Sequence, residues 1–100
     1  MAVGQTVTGT LTQLTLGSSH DIKPATSTAE WIIHNIYVPK ITGTGTVDVY
    51  RGDGTNWIKI DTITGSMLNE CFHVTYTNYI RLTVATGSTI YVSYDGITVA

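Results

Sequence analysis

The amino-acid sequence predicts an all-β protein, an antiparallel β-sandwich of jelly-roll type with about eight short strands. Three observations carry that expectation. Short stretches alternate apolar and polar side chains with a period of two, as strands with one buried face require. Turn residues, mostly Gly beside Thr, Ser, Asp or Asn, recur about every ten positions. No segment keeps the roughly 3.6-residue period of a helix over a normal helical length. Composition agrees, since 19 Thr and 10 Gly stand against 2 Pro, a balance suited to pleated sheet and tight turns.

The 100 residues make one domain, 1–100, with no internal boundary or repeat. Residues 1–5 read as a flexible or partner-bound arm. Over residues 6–16, Val7, Gly9 and Leu11 share one parity while Leu14 and Leu16 take the other, so a bulge or strand break is expected near Thr12 or Gln13. Residues 17–21 carry loop chemistry, and Pro24 extends the irregular region up to Glu30. Residues 31–38, WIIHNIYV, form the most apolar run; their β-branched and aromatic content and the closing Pro39 predict a strand covered on both faces.

A flexible connection over residues 41–45 leads into the clearest element, a β-hairpin over residues 46–63, TVDVYRGDGTNWIKIDTI. Val47 and Val49 alternate on one arm, and Ile58, Ile60 and Thr62 on the other. The joining Arg51-Gly52-Asp53-Gly54-Thr55-Asn56 is turn chemistry, with two glycines and side chains that bond their own backbone. Residues 67–70 suit one helical turn or a loop. Strands follow over residues 71–76, 79–84 and 89–94, and Asp95-Gly96 reads as a turn into a last short strand over 97–99.

Only 12% of the residues are charged, with a formal charge of −2. That is about half the usual charged share, so part of the surface is expected to be covered in an assembly. Five scattered basic residues give no footprint for nucleic acid or an anionic membrane. The single Cys71 excludes an internal disulfide framework. The N-terminal stretch lacks the pattern of a signal peptide, and no segment reaches transmembrane length.

Arg51-Gly52-Asp53 matches an adhesion tripeptide, although Gly-Asp-Gly is also what a hairpin loop needs. Cys71 and His73 share a strand parity, with His34 as a third metal ligand to consider, but no second ligand pair of zinc type is present. Nothing resembles a nucleophile elbow or a calcium loop. The expectation is a protein that is not an enzyme, with no cofactor, no metal and no catalytic residue. Of the aromatic residues, Trp57, Tyr79 and Tyr91 have solvent-facing parity and, with Arg51 and Asp53, are the expected partner contacts.

The whole pattern, with WIIHNIYVPKITGTGTVDVYRGDGTNWIKID in the middle and IYVSYDGI near the end, resembles the small virion structural proteins of tailed bacteriophages, particularly capsid decoration or cement proteins. The resemblance implies a β-sandwich made in the host cytoplasm and located in the virion. It would bind the outer shell as a trimer or dimer, with the major capsid protein or other virion proteins as partners. Alternatives are a head-tail, fibre or baseplate component, and a carbohydrate- or receptor-binding module using exposed aromatics.

Overall fold

A computed structural model describes residues 4–39, 45–87 and 89–100 of the protein. Nine strands are present among them: β1 Thr6–Thr8, β2 Thr12–Leu14, β3 Ser19–Ile22, β4 Glu30–Tyr37, β5 Thr46–Gly52, β6 Trp57–Ile63, β7 Phe72–Thr75, β8 Tyr79–Thr86 and β9 Ile90–Thr98. All pairings are antiparallel. One sheet runs β1-β9-β4-β7, with β2 also on β9, and the other runs β3-β8-β5-β6.

The pairing order explains the architecture. β5 pairs β6, β4 pairs β7, β3 pairs β8, and β2 pairs β9. The chain is therefore one long hairpin closed at residues 53–56 and rolled so that successive pairs fall in alternate sheets, which is a jelly roll. β1 and β2 are two halves of a single edge position on β9; the strand break, expected near Thr12 or Gln13, falls just before those two residues, at residues 9–11.

Between the sheets lies a core of β-branched and leucine side chains. Ile22, Val47, Val49, Ile80 and Leu82 come from one sheet, and Ile33, Ile36, Val74 and Val92 from the other, all fully buried. Alternation does this: in β8, Ile80, Leu82 and Val84 face inward while Tyr79, Arg81 and Thr83 take the opposite parity.

Three expectations are corrected. Residues 19–22 are strand β3 rather than loop, because Ser19–Ile22 finds a partner in β8. The run 31–38 is buried on one face and only partly covered on the other: a register shift between Ile33 and Asn35 puts Trp31, Ile33, Ile36 and Val38 in the core, with Ile32, His34 and Asn35 half-buried and Tyr37 exposed. Asp95-Gly96 does not turn the chain, since β9 runs through it. Gly96 is needed there because a Cβ would collide with the Ile32 carbonyl on the neighbouring strand. Of the flexible or partner-bound arm expected over residues 1–5, residues 1–3 lie outside the described residues, while Gly4 N–H donates to the Thr98 carbonyl and Gln5 C=O accepts both the N–H and the hydroxyl of Thr98.

Residues 67–70 are a loop fastened to β4, where Met67 and Ile36 exchange both backbone hydrogen bonds. Most of the connection expected over residues 41–45 lies outside the described residues.

Candidate functional site

The expected partner-contact residues do not converge on one place. Trp57, Tyr79, Arg51 and Asp53 lie at the hairpin end of the β3-β8-β5-β6 sheet. Tyr91 belongs to the other sheet, at the start of β9, a full strand length away from the hairpin tip.

At the tip, Asp53 is a loop staple. Its Oδ1 accepts the N–H groups of Thr55 at 2.9 Å and Asn56 at 2.8 Å, and its own N–H donates to the Asn56 carbonyl. The Asn56 and Thr55 N–H groups hold this exposed carboxyl below its usual pKa. Gly54 takes φ +98°, which closes the loop. Arg51 is half-buried on the parity of Val47 and Val49, opposite Ile58 and Ile80. Arg51-Gly52-Asp53 is thus explained by hairpin construction, with its Arg on the strand and its Asp in the loop.

Tyr79 corrects the reading of solvent-facing parity. It does point to the outer face with Arg81 and Thr83, yet it is only 5% exposed. Trp57 stands edge-on to its ring at 5.5 Å between centroids, and the Lys23 ammonium sits over it at 4.7 Å while also covering Tyr76 at 4.6 Å. Trp57 itself is half-buried. Its indole lies across Gly52, where a Cβ would collide with it, and the Arg81 guanidinium stacks on it 3.9 Å from the ring centroid.

Arg81 is held by Asp21 of β3. Nε–H donates to Oδ1 at 2.6 Å and Nη2–H to Oδ2 at 3.1 Å, a bidentate pair. That contact raises the guanidinium pKa further. Beside it, Ser19 and Thr83 hydroxyls meet at 2.7 Å. On the β6 side, Asp48 is nearly buried and satisfied: Thr62 donates to it at 2.9 Å, and the Lys59 ammonium stands 3.5 Å away. Ser19, Tyr50, Trp57, Arg81 and Thr83 line an open cavity of about 190 Å³.

A different surface surrounds Tyr91. Leu11, Tyr37, Val38, Ile90 and Tyr91, with neighbouring Pro39 and Thr89, line a cleft of about 460 Å³. Leu11 is 70% exposed and Tyr91 50%. The Tyr37 hydroxyl donates to Asp95 Oδ2 at 2.6 Å, which raises its pKa, and Asn35 donates to the other Asp95 oxygen. The tyrosine hydroxyl is thereby anchored beside an apolar floor.

Of the residues weighed for metal binding, the two histidines have other partners and Cys71 is an exposed free thiol. His34 Nδ1 lies 3.1 Å from the Glu70 carbonyl and His73 Nε2 lies 2.7 Å from Glu30 Oε1. Among the described residues no group of three or more His, Cys, Asp or Glu side chains is placed to hold a metal ion.

Sequence reasoning missed Arg81, Asp21, Tyr50, Ser19 and Thr83 on one surface, and Leu11 and Tyr37 on the other. Recognising β3 would have exposed the first group, because Ser19 and Asp21 then fall opposite Thr83 and Arg81. No protein-family model matches the chain, and no curated protein matches it in sequence.

Proposed function

We propose that the protein is a structural protein of a tailed-phage virion, a capsid decoration or cement protein that binds the outer shell and stabilises it. The observation that carries this reading is the open apolar cleft at Leu11, Tyr37 and Tyr91. An apolar surface carrying one anchored tyrosine, Tyr37, and one exposed tyrosine, Tyr91, suits a protein partner, since burial of such groups gives most of the free energy of association.

The architecture suits the role. A jelly roll recurs in viral capsid domains, which supports the reading by analogy of fold alone. A cement protein needs no chemistry. It acts by binding the assembled shell and not its disrupted form, and that difference in affinity stabilises the shell by mass action. The partner is then the major capsid protein or another virion protein, and a dimer or trimer would multiply the contacts at a symmetry axis.

The test is a thermal burst assay on particles with and without the protein. Particles lacking it are expected to burst at lower temperature, and adding the purified chain back is expected to restore the higher value. Equal burst temperatures would overturn the reading. Copy number per particle separates a shell protein, present in many copies, from a head-tail, fibre or baseplate component.

A further inference from the structure

We propose that the cavity between Trp57 and Tyr50 on the outer face of the β3-β8-β5-β6 sheet binds a single neutral sugar ring. Its lining is amphipathic in the way such a ring is. The Tyr50 ring, and the part of Trp57 that Gly52 and the stacked Arg81 leave uncovered, offer apolar contact to C–H groups, while Arg81, Ser19 and Thr83 offer hydrogen bonds to hydroxyls. At about 190 Å³ the space is smaller than the roughly 300 Å³ at which sites for drug-sized molecules begin, and it suits one six-membered ring.

The polar groups are set in place before any ligand arrives. Arg81 uses its Nε and Nη2 on Asp21 and stacks on Trp57, so its Nη1 is presented by a side chain that has already lost its rotamer freedom. Binding to such a group avoids much of the ordering cost. The Ser19 and Thr83 hydroxyls share one hydrogen bond, which leaves the pair one further O–H to donate and lone pairs to accept.

Charge decides between neutral and anionic sugars. Asp21 balances Arg81, and Asp48 balances Lys59. No uncompensated cation lines the cavity, and a carboxylate or phosphate entering it would have to compete with Asp21 for the guanidinium. The site lies toward the opposite end of the sandwich from the Leu11 cleft, so it does not depend on the shell-binding reading.

The test is an amide NMR titration of the full chain with glucose, galactose, mannose and N-acetylglucosamine, and with glucuronate and inorganic phosphate as anionic probes. At least one neutral sugar is expected to give saturable shifts confined to Ser19, Tyr50, Trp57, Arg81 and Thr83 and their neighbours, with a millimolar Kd. Thr83→Val keeps shape and removes the hydroxyl, and is expected to weaken that binding about three- to tenfold, the value of one hydrogen bond. Tyr50→Ala should weaken it as well. The proposal is overturned by the absence of saturable shifts with all four neutral sugars, by shifts centred elsewhere, by affinity unchanged in both variants, or by tighter binding of glucuronate or phosphate at these residues.

Discussion

The two aromatic surfaces at the two ends of this sandwich look alike in composition and differ in what their side chains already touch. Around Trp57 each large group is engaged: the indole lies on Gly52, Arg81 stacks on the indole and pairs with Asp21, and Tyr79 is covered by Trp57 and Lys23. Around Tyr91 the cleft is open and Leu11 has most of its surface in water. The first surface contributes to the stability of the fold, and whatever binds there meets a rigid wall. The second contributes little until something covers it, at which point burial is worth roughly 25 cal/mol per Å². Aromatic content therefore does not identify a protein-docking surface; apolar side chains that nothing yet covers do.

The sharpest way to break this contrast is Gly52→Val. A side chain at residue 52 meets both the Trp57 ring and the Asn56 carbonyl, so the indole must leave its place over β5 and the stack on Arg81 goes with it. Overpacking of this kind costs about 3 kcal/mol. Urea denaturation should show it as a lower midpoint, with quenched or shifted Trp57 emission in the folded state. A loss under about 0.5 kcal/mol, within the range of ordinary surface substitutions, would mean that Gly52 and Trp57 are not packed as described.

Arg81→Ala is next in size. It strands Asp21, uncovers Trp57 and removes a fork of two hydrogen bonds, but both partners of the ion pair keep about a third of their side chains in solvent, 31% and 30%. Screening at that exposure reduces the electrostatic part, and a loss of about 1 kcal/mol is expected. Arg81→Lys should recover less than half of it, because an ammonium makes neither the bidentate contact nor the flat stack. Full recovery by Lys would show that only charge matters here.

These residues also show where the sequence is legible. The hairpin over residues 46–63 could be read because alternation and turn chemistry are both local, and the structure places β5 and β6 there with Val47 and Val49 in the core. β3 could not be read in the same way. Ser19-His20-Asp21-Ile22 contains one strongly apolar residue, and it becomes a strand through a ladder with β8 some sixty residues away. The bulge in β4 is likewise invisible locally; it transfers Ile36 to the face of Trp31 and Ile33 and so uncovers Tyr37. Parity placed Tyr79 correctly on the outer face but could not foresee that Lys23 and Trp57 would bury it. Both surfaces are assembled from long-range partners, and for that reason their members were only partly anticipated.

A smaller effect belongs to His20. It shares the inward parity of Ile22 at the β3 edge, with the Tyr94 ring 6.1 Å away and Asp21 adjacent in the chain. Burial lowers its pKa from the ordinary 6.5, and the Asp21 carboxylate opposes this only in part. With the folded pKa below the unfolded one, the unfolded chain binds more protons between the two values. Stability is then fully present above pH 6.5 and declines as pH falls from there toward the folded pKa. Denaturation midpoints measured from about pH 7.5 down to about pH 5 should fall for the native chain and fall less for His20→Gln. Parallel curves would assign the decline to other groups.

The smallest effect on stability, and the most telling for the comparison, is expected at the cleft. Leu11→Ser and Tyr91→Ser remove side chains that are 70% and 50% exposed, and such changes usually shift stability by no more than about 0.5 kcal/mol. If the cleft is the docking surface, the same substitutions should weaken binding to the shell by about 1–2 kcal/mol each, the range for losing an apolar anchor at an interface. Thr83→Val on the outer face should leave shell binding unchanged. Urea denaturation of the variants reads the stability, and co-sedimentation with particles stripped of the protein reads the binding. Should the cleft variants bind as well as the native chain while Gly52→Val does not, the assignment of the two surfaces would be reversed, and the engaged face around Trp57 would be the one that meets the shell.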